Sequence, residues 1–175
     1  MIRKIAIILV VIIAAILVFA ATKPDNFLVQ RKASIKAPAD KIYASLSNFK
    51  DWGHWSPWEE KDPQMKRVFS GEPSGKGAVY EWDGNSEVGK GRMEIVEATA
   101  PSQLAIKLNF TSPFEAENRA EFLLQPNADE TQVTWAMSGK SNFFCKVMGV
   151  FMSMDEMVGK DFEAGLQKLK NLAEK

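Results

Sequence analysis

The chain has 175 residues, 46% of them apolar and 25% charged, with 22 basic against 22 acidic side chains and a mass of 19.5 kDa. That length suits one ordinary domain and leaves no room for two enzyme-sized lobes. The single Cys (Cys145) rules out an internal disulfide or a cysteine cage for a metal, and the single His (His54) confines imidazole chemistry to one position.

Residues 5–21 are apolar without interruption. At about 1.5 Å per residue they make a rod of roughly 26 Å, close to the roughly 30 Å of a bilayer's hydrocarbon core, and Ile2 and Thr22 can extend it. Arg3 and Lys4 precede the run. The positive-inside rule then keeps the N-terminus in the cytoplasm and sends the rest across. Residues 1–23 therefore read as a transmembrane anchor or as a signal segment, for which Val18-Phe19-Ala20 is only a passable cleavage site. A buried core helix does not fit, because the run has no polar face. Either reading puts the remaining domain, 24–175, outside the cytoplasm, tethered to the cell membrane or secreted after cleavage. Without Arg3 and Lys4 that body is near neutral, which argues against a nucleic-acid partner, since backbone binding needs a concentrated positive field. A lone Cys in an oxidising compartment is tolerable when buried, and its neighbours Phe143, Phe144 and Val147 predict that Cys145 is.

Lys23-Pro24-Asp25-Asn26 breaks the apolar helix. Residues 27–36 read as a first strand, and 38–49 as a helix opened by Pro38, with Ile42, Leu46 and Phe49 on one face. A Trp-rich loop spans Asp51 to Pro63. Strand-like runs follow at 65–70, 77–83, 88–98, 103–111, 115–125 and 131–138. Asp83-Gly84-Asn85 and Pro126-Asn127-Ala128-Asp129 signal hairpins. Leu104, Ile106, Leu108 and Phe110 alternate with Ala105, Lys107 and Asn109, so each strand has a dry face and a wetter one. Residues 143–154 read as a helix that is apolar almost all round. From Asp155 to Lys175, Val158, Phe162, Leu166, Leu169 and Leu172 form one stripe of an amphipathic helix. The expected fold is α+β: a curved antiparallel sheet of about six to seven strands wrapped on a long C-terminal helix, preceded by one transmembrane helix. Sheet and helix face each other across a space that is either a packed core or a dry pocket.

Five stretches carry a family resemblance. Ile35-Lys36-Ala37-Pro38-Ala39-Asp40-Lys41-Ile42-Tyr43 runs a strand into a helix through Ala-Pro, and Asn48-Phe49-Lys50-Asp51-Trp52-Gly53-His54-Trp55-Ser56-Pro57-Trp58 follows that helix. Val88-Gly89-Lys90-Gly91 opens a strand, Thr131-Gln132-Val133-Thr134-Trp135 is a last strand, and Phe162 to Lys170 lies in the terminal helix. In this order they resemble the START-like superfamily, also called SRPBCC or polyketide cyclase/dehydrase-like, over nearly all of 27–175. The resemblance implies the helix-grip fold. It does not choose a function, because the family includes lipid carriers, cyclases, hormone receptors and stress proteins.

Trp52, Trp55 and Trp58 recur every three residues. They read either as a rim of amphipathic rings at a pocket mouth or membrane interface, or as a loop packed over the end of the sheet. His54 lacks a second His, and Asp51 and Ser56 lie too near in sequence for an ordinary triad. No set of ligands for a metal emerges, and no cofactor is implied. Asp155-Glu156 opens the long helix, where negative charge suits the dipole. Gly71 to Gly77 fails as a phosphate loop, because Gly77 stands where the Ser/Thr would hold magnesium and a strand follows. The glycosylation triplet Asn109-Phe110-Thr111 sits inside a strand.

The expected lining of the space is Trp55, Tyr80, Trp82, Met93, Phe110, Phe122, Trp135, Met137, Val158 and Phe162, joined by Ile95 and Leu108. Asn118 is the one polar residue expected on the inward face, and a buried amide needs hydrogen-bond partners. Three functions stand against one another. The first is a membrane-tethered domain binding a small hydrophobic ligand, such as a lipid, quinone or polyketide-like compound. The second is a cyclase/dehydrase-like enzyme using His54, Asn118 and Tyr80. The third is a structural or partner-binding domain with a filled core. A cavity of a few hundred Å³ or more favours the first two, since pockets for small molecules run to roughly 300–1,000 Å³, and a packed interior favours the third.

Overall fold

A computed structural model describes residues 2–141 and 143–175, apart from the side chain of Phe144. Helix α1 (Ile2–Ala21) is exposed along almost its whole length, with only Ala20 buried. Twenty residues give it a length of about 30 Å, and among the described residues it is the one helix long and apolar enough to cross a membrane. Four residues later the chain enters β1 (Asn26–Ile35).

Helix α2 (Ala39–Ser47) buries Ile42 and Leu46 and stops at Asn48. The Asn48 side chain accepts from the Lys50 amide at 3.1 Å and so caps a 3₁₀ turn, Phe49–His54. Pro57 then opens α3 (Pro57–Lys61), with Glu59 and Glu60 in its first turn. The stretch expected as a loop is thus two short helical pieces, each started by a residue suited to that position.

Seven antiparallel strands form one sheet in the order β1-β7-β6-β5-β4-β3-β2. The others are β2 (Lys66–Gly71), β3 (Ala78–Asp83), β4 (Lys90–Thr99), β5 (Gln103–Ser112), β6 (Ala116–Asn127) and β7 (Glu130–Lys140). Both sequence-signalled hairpins form. The β6–β7 turn is tight, with Asn127 opposite Glu130 and Ala128 at φ 50°. The β3–β4 link is longer than a two-residue turn: the Asn85 side chain accepts from the Glu87 amide at 2.8 Å and shapes the segment Gly84–Gly89.

Helix α4 (Phe143–Phe151) packs against α1. Cys145 on α4 is half-buried, not buried as expected, because α4 lies beside the apolar N-terminal helix rather than inside the core. Of its neighbours, Phe143 is exposed and the Phe144 side chain lies outside the described atoms. Helix α5 (Met154–Ala173) begins with a capping box in which Ser153 and Glu156 satisfy each other's backbone donors. Those bonds hold the Glu156 carboxyl below its usual range. Phe162, Leu166 and Leu169 are buried, with Val158 and Leu172 half-buried at the ends of the stripe. They meet Ile106, Phe122, Leu124, Val133 and Trp135 on the concave side of the sheet. The result is the expected α+β helix-grip arrangement.

Candidate functional site

A 3₁₀ helix has three residues per turn, so positions three apart lie over one another. Phe49, Trp52 and Trp55 share that spacing and are all buried, while Gly53 and His54 face outward and are exposed. The turn presses its aromatic face onto the sheet: Trp52 and Trp55 lie 4.8 Å apart, and each meets Phe122 edge-on at about 6 Å. Their indole nitrogens donate to Leu46 O at 3.0 Å and Ser45 O at 3.4 Å. Trp58, on α3, is half-buried and meets Trp135 and Phe162 edge-on.

Between α3, the concave sheet and the first half of α5 lies a cavity of about 170 Å³. Its sheet wall includes Tyr80, Trp82, Met93, Leu108, Phe110, Ala120, Trp135 and Met137, and α5 contributes Val158 and Phe162. Trp135 stacks on Phe162, with ring centres 4.0 Å apart and planes 7° from parallel. Its indole nitrogen is buried without a hydrogen-bond partner among the described residues.

One corner is polar. Tyr80 donates its hydroxyl to Glu59 Oε1 at 2.6 Å, and Arg67 Nε donates to Glu59 Oε2 at 2.7 Å. Arg67 also donates to Met65 O at 2.7 Å. Burial and the neighbouring carboxylate push the Tyr80 phenol well above its usual range, so it stays a donor. Phe69 stacks on the Tyr80 ring at 4.9 Å. Helix α3, which carries Glu59, is fastened to α5 by Lys61–Asp161 at 2.6 Å and by Glu60–Lys168.

Eight of the eleven residues expected at the site line this cavity: Tyr80, Trp82, Met93, Phe110, Trp135, Met137, Val158 and Phe162. Trp55 and Phe122 do not; they pack against each other beneath it, both almost fully buried. Asn118 lies outside the wall, with its carboxamide over Gly139, which has no side chain to displace it. Ile95 is buried in the sheet core and is not part of the lining. His54 is exposed and does not line the cavity. Trp52 and Trp58, which the three-residue tryptophan period offered as a pocket rim, line the cavity as well, and the residues that sequence reasoning missed include Ser56, Glu59, Met65 and Val88. Glu59 had no signal beyond its place after Trp58.

A family model described as polyketide cyclase / dehydrase and lipid transport matches residues 27–174. The chain belongs to this family. The matched stretch of this polyketide cyclase/dehydrase and lipid-transport family, 27–174, covers the sheet-and-helix body from β1 to α5. Among curated proteins no match is found. Solved structures match in fold. A hypothetical protein of Helicobacter pylori is 12% identical with a TM-score of 0.64, over 89% of this chain and 92% of that one. The Aha1 dimer of Colwellia psychrerythraea is 17% identical with a TM-score of 0.59, over 85% and 96%. Major latex-like protein 151 of Panax ginseng is 11% identical with a TM-score of 0.59, over 86% and 99%.

Proposed function

We propose that this chain is a membrane-tethered domain that binds a small hydrophobic molecule in the cavity between its sheet and α5. The carrying observation is the character of that cavity: an apolar, aromatic-rich wall with one fixed hydrogen-bonding corner at Glu59, Tyr80 and Arg67. Such a site orients a mostly apolar guest by a single polar group. A cavity of about 170 Å³ is similar to the roughly 150 Å³ that accommodates one benzene ring. Pockets for drug-sized ligands run to about 300–1,000 Å³. A lipid, quinone or polyketide-like guest therefore needs the wall to give, and Met65, Met93 and Met137 are the side chains best suited to swing. The apolar α1, with Arg3 and Lys4 before it, supports a tether with the N-terminus in the cytoplasm and the domain beyond the membrane.

The test is native mass spectrometry and solvent extraction of the full chain purified from its membrane, beside an Ala120→Phe variant that fills the cavity. A compound that accompanies the unaltered chain and is missing from the variant is the expected result. A chain that emerges empty and binds no more Nile red than the variant ends the proposal.

A second reading, an enzyme of the cyclase/dehydrase type, has one observation in its favour. The Glu59 carboxylate and the Tyr80 hydroxyl sit at the cavity wall within hydrogen-bond reach of each other, as a proton-transfer pair requires.

A further inference from the structure

The strand register brings distant parts of the chain to one end of the sheet. Asn26 pairs with Lys140, Phe110 with Ala116, Lys90 with Ser112, and Asp83 with both Lys90 and Lys66. The entry from α1, the exit into α4, the β5–β6 hairpin and the β3–β4 link therefore lie together. Helix α5 starts at this end too: Arg31 Nη1 donates to Asp155 at 2.7 Å, while the opposite end of the helix meets the far end of β1 through Lys36 N and Glu174 at 2.7 Å. The cavity belongs to the same half. Glu87, Val88, Phe110 and Val158, all in its lining, come from these hairpins and from the first turns of α5.

This end is also where large apolar side chains face outward. Phe114, Phe143, Met148, Phe151, Met152 and Met157 are each at least half exposed, and Phe151 reaches 70%. The opposite end carries polar turns, Gly71–Gly77 and Asn127–Glu130. An apolar patch of this kind marks an interaction surface, and the attachment of α1 names the partner. Four residues span at most about 14 Å, and here they are folded back. The Thr22 and Lys23 amides donate to Phe19 O and Ala20 O, Ser141 N donates to Asp25 O, and Lys146 on α4 donates to the Asp25 carboxylate at 2.5 Å. The body cannot stand off from the helix that precedes it.

We propose that the α4–α5 corner and the tip of the β5–β6 hairpin are seated in the leaflet of the bilayer that α1 crosses, and that the cavity exchanges its guest with that leaflet. Aromatic and methionine side chains on an amphipathic surface bind the boundary between headgroups and acyl chains in proportion to the apolar area they bury. The charges at this end are mixed, with Lys90 and Lys140 beside Glu87 and Glu115, so the match to lipid rests on the apolar residues. The inference depends on α1 spanning the membrane and goes beyond it in placing the body.

The experiment uses the full chain in phosphatidylcholine vesicles containing spin-labelled lipid, in a Cys145→Ser background. A bimane label is placed at Phe151→Cys, at Met148→Cys and, as the far-end control, at Asn127→Cys, each variant checked by near-ultraviolet dichroism. We expect quenching at positions 151 and 148 to exceed that at 127 by at least about threefold. Chain retained through alkaline extraction but quenched equally at all three positions overturns this inference alone and leaves the tether standing. Release of the chain by alkali overturns both. Cross-linking between position-151 thiols without lipid quenching would assign the patch to a second copy and overturn it as well.

Discussion

Tyr80 and Glu59 join at 2.6 Å across the wall of the cavity, and they come from opposite sides of it, one from β3 and the other from α3. Glu59 is the hinge of that corner, because its second oxygen holds Arg67 on β2. Only 10% of its side chain is exposed, and 25% of that of Arg67. Replacing Glu59 with Leu leaves a buried phenol without its acceptor and takes the carboxylate from a guanidinium that keeps only backbone carbonyls such as that of Met65. Hydrogen bonds to charged groups contribute about 1.5–3 kcal/mol, so urea unfolding should show a loss of about 2–3 kcal/mol. Tyr80→Phe keeps the Glu59–Arg67 pair and should cost about 1–2 kcal/mol. A loss for Glu59→Leu no larger than for Tyr80→Phe would mean that the Arg67 pair contributes nothing.

The same pair sets a dependence on alkaline pH. Burial and the Glu59 carboxylate raise the Tyr80 phenol above its value in the unfolded chain, about 10. Above that pH the unfolded state sheds a proton that the folded state keeps, so this contribution to stability is complete below about pH 10 and declines as pH rises further. Tyr43 is raised as well, by burial alone. Absorbance at 295 nm should place the titration midpoints of both tyrosines above pH 10 in the folded chain. The Tyr80→Phe variant should lose stability less steeply than the unaltered chain above that pH.

The sheet and α5 were legible because their burial is periodic. Leu104, Ile106 and Leu108 alternate along a strand, and Phe162, Leu166 and Leu169 return every three or four residues; a one-sided environment leaves that mark in any sequence. Parity also identified most of the cavity wall, since it tells which face a residue occupies. It could not tell depth. Phe122 and Trp135 are cross-strand partners on one face, yet only Trp135 borders the cavity, because the 3₁₀ turn lays Trp55 over Phe122. Asn118 has the right parity as well, but the gap above Gly139 draws its carboxamide aside. Glu59 was invisible for a different reason. A carboxylate two residues into a helix reads as dipole compensation, and only the fastening of α3 to α5 turns it toward Tyr80.

Two glycines of α5 face the sheet, and their replacements should differ. A methyl at Gly165 would stand 2.8 Å from the Trp135 ring and 3.1 Å from Pro57. The ring cannot retreat, being stacked on Phe162 on one side and near Phe122 on another. Overpacking costs about 1–3 kcal/mol, which outweighs the roughly 1 kcal/mol that Ala gains over Gly in a helix. At Gly159 the obstacle is the Arg31 guanidinium at 2.0 Å, the end of a flexible side chain that can shift toward solvent. Gly165→Ala should lower stability and perturb tryptophan fluorescence, whereas Gly159→Ala should be close to neutral in urea. Equal losses at both positions would contradict this packing.

Acid should loosen α5 from β1 before the sheet unfolds. Arg31 Nη1 and Nη2 donate to the two Asp155 oxygens at 2.7 and 2.9 Å, and Arg31 Nε donates to Glu163 at 2.6 Å, so the first half of α5 is held to β1 by charge. The guanidinium holds the Asp155 carboxyl below its usual range. A carboxyl depressed in the folded state stabilises above its unfolded value, about 3.9, and that contribution disappears as pH falls through the lower folded value. Deuterium exchange of the α5 amides near Asp155 should therefore accelerate relative to those of β5 as pH drops below 4, after correction for intrinsic rates. In Asp155→Asn the charge is absent at every pH, so its exchange ratio should rise less across the same interval, by no more than protonation of the Glu156 cap contributes. A variant whose ratio rises in parallel with that of the unaltered chain would show that another carboxyl governs the acid response.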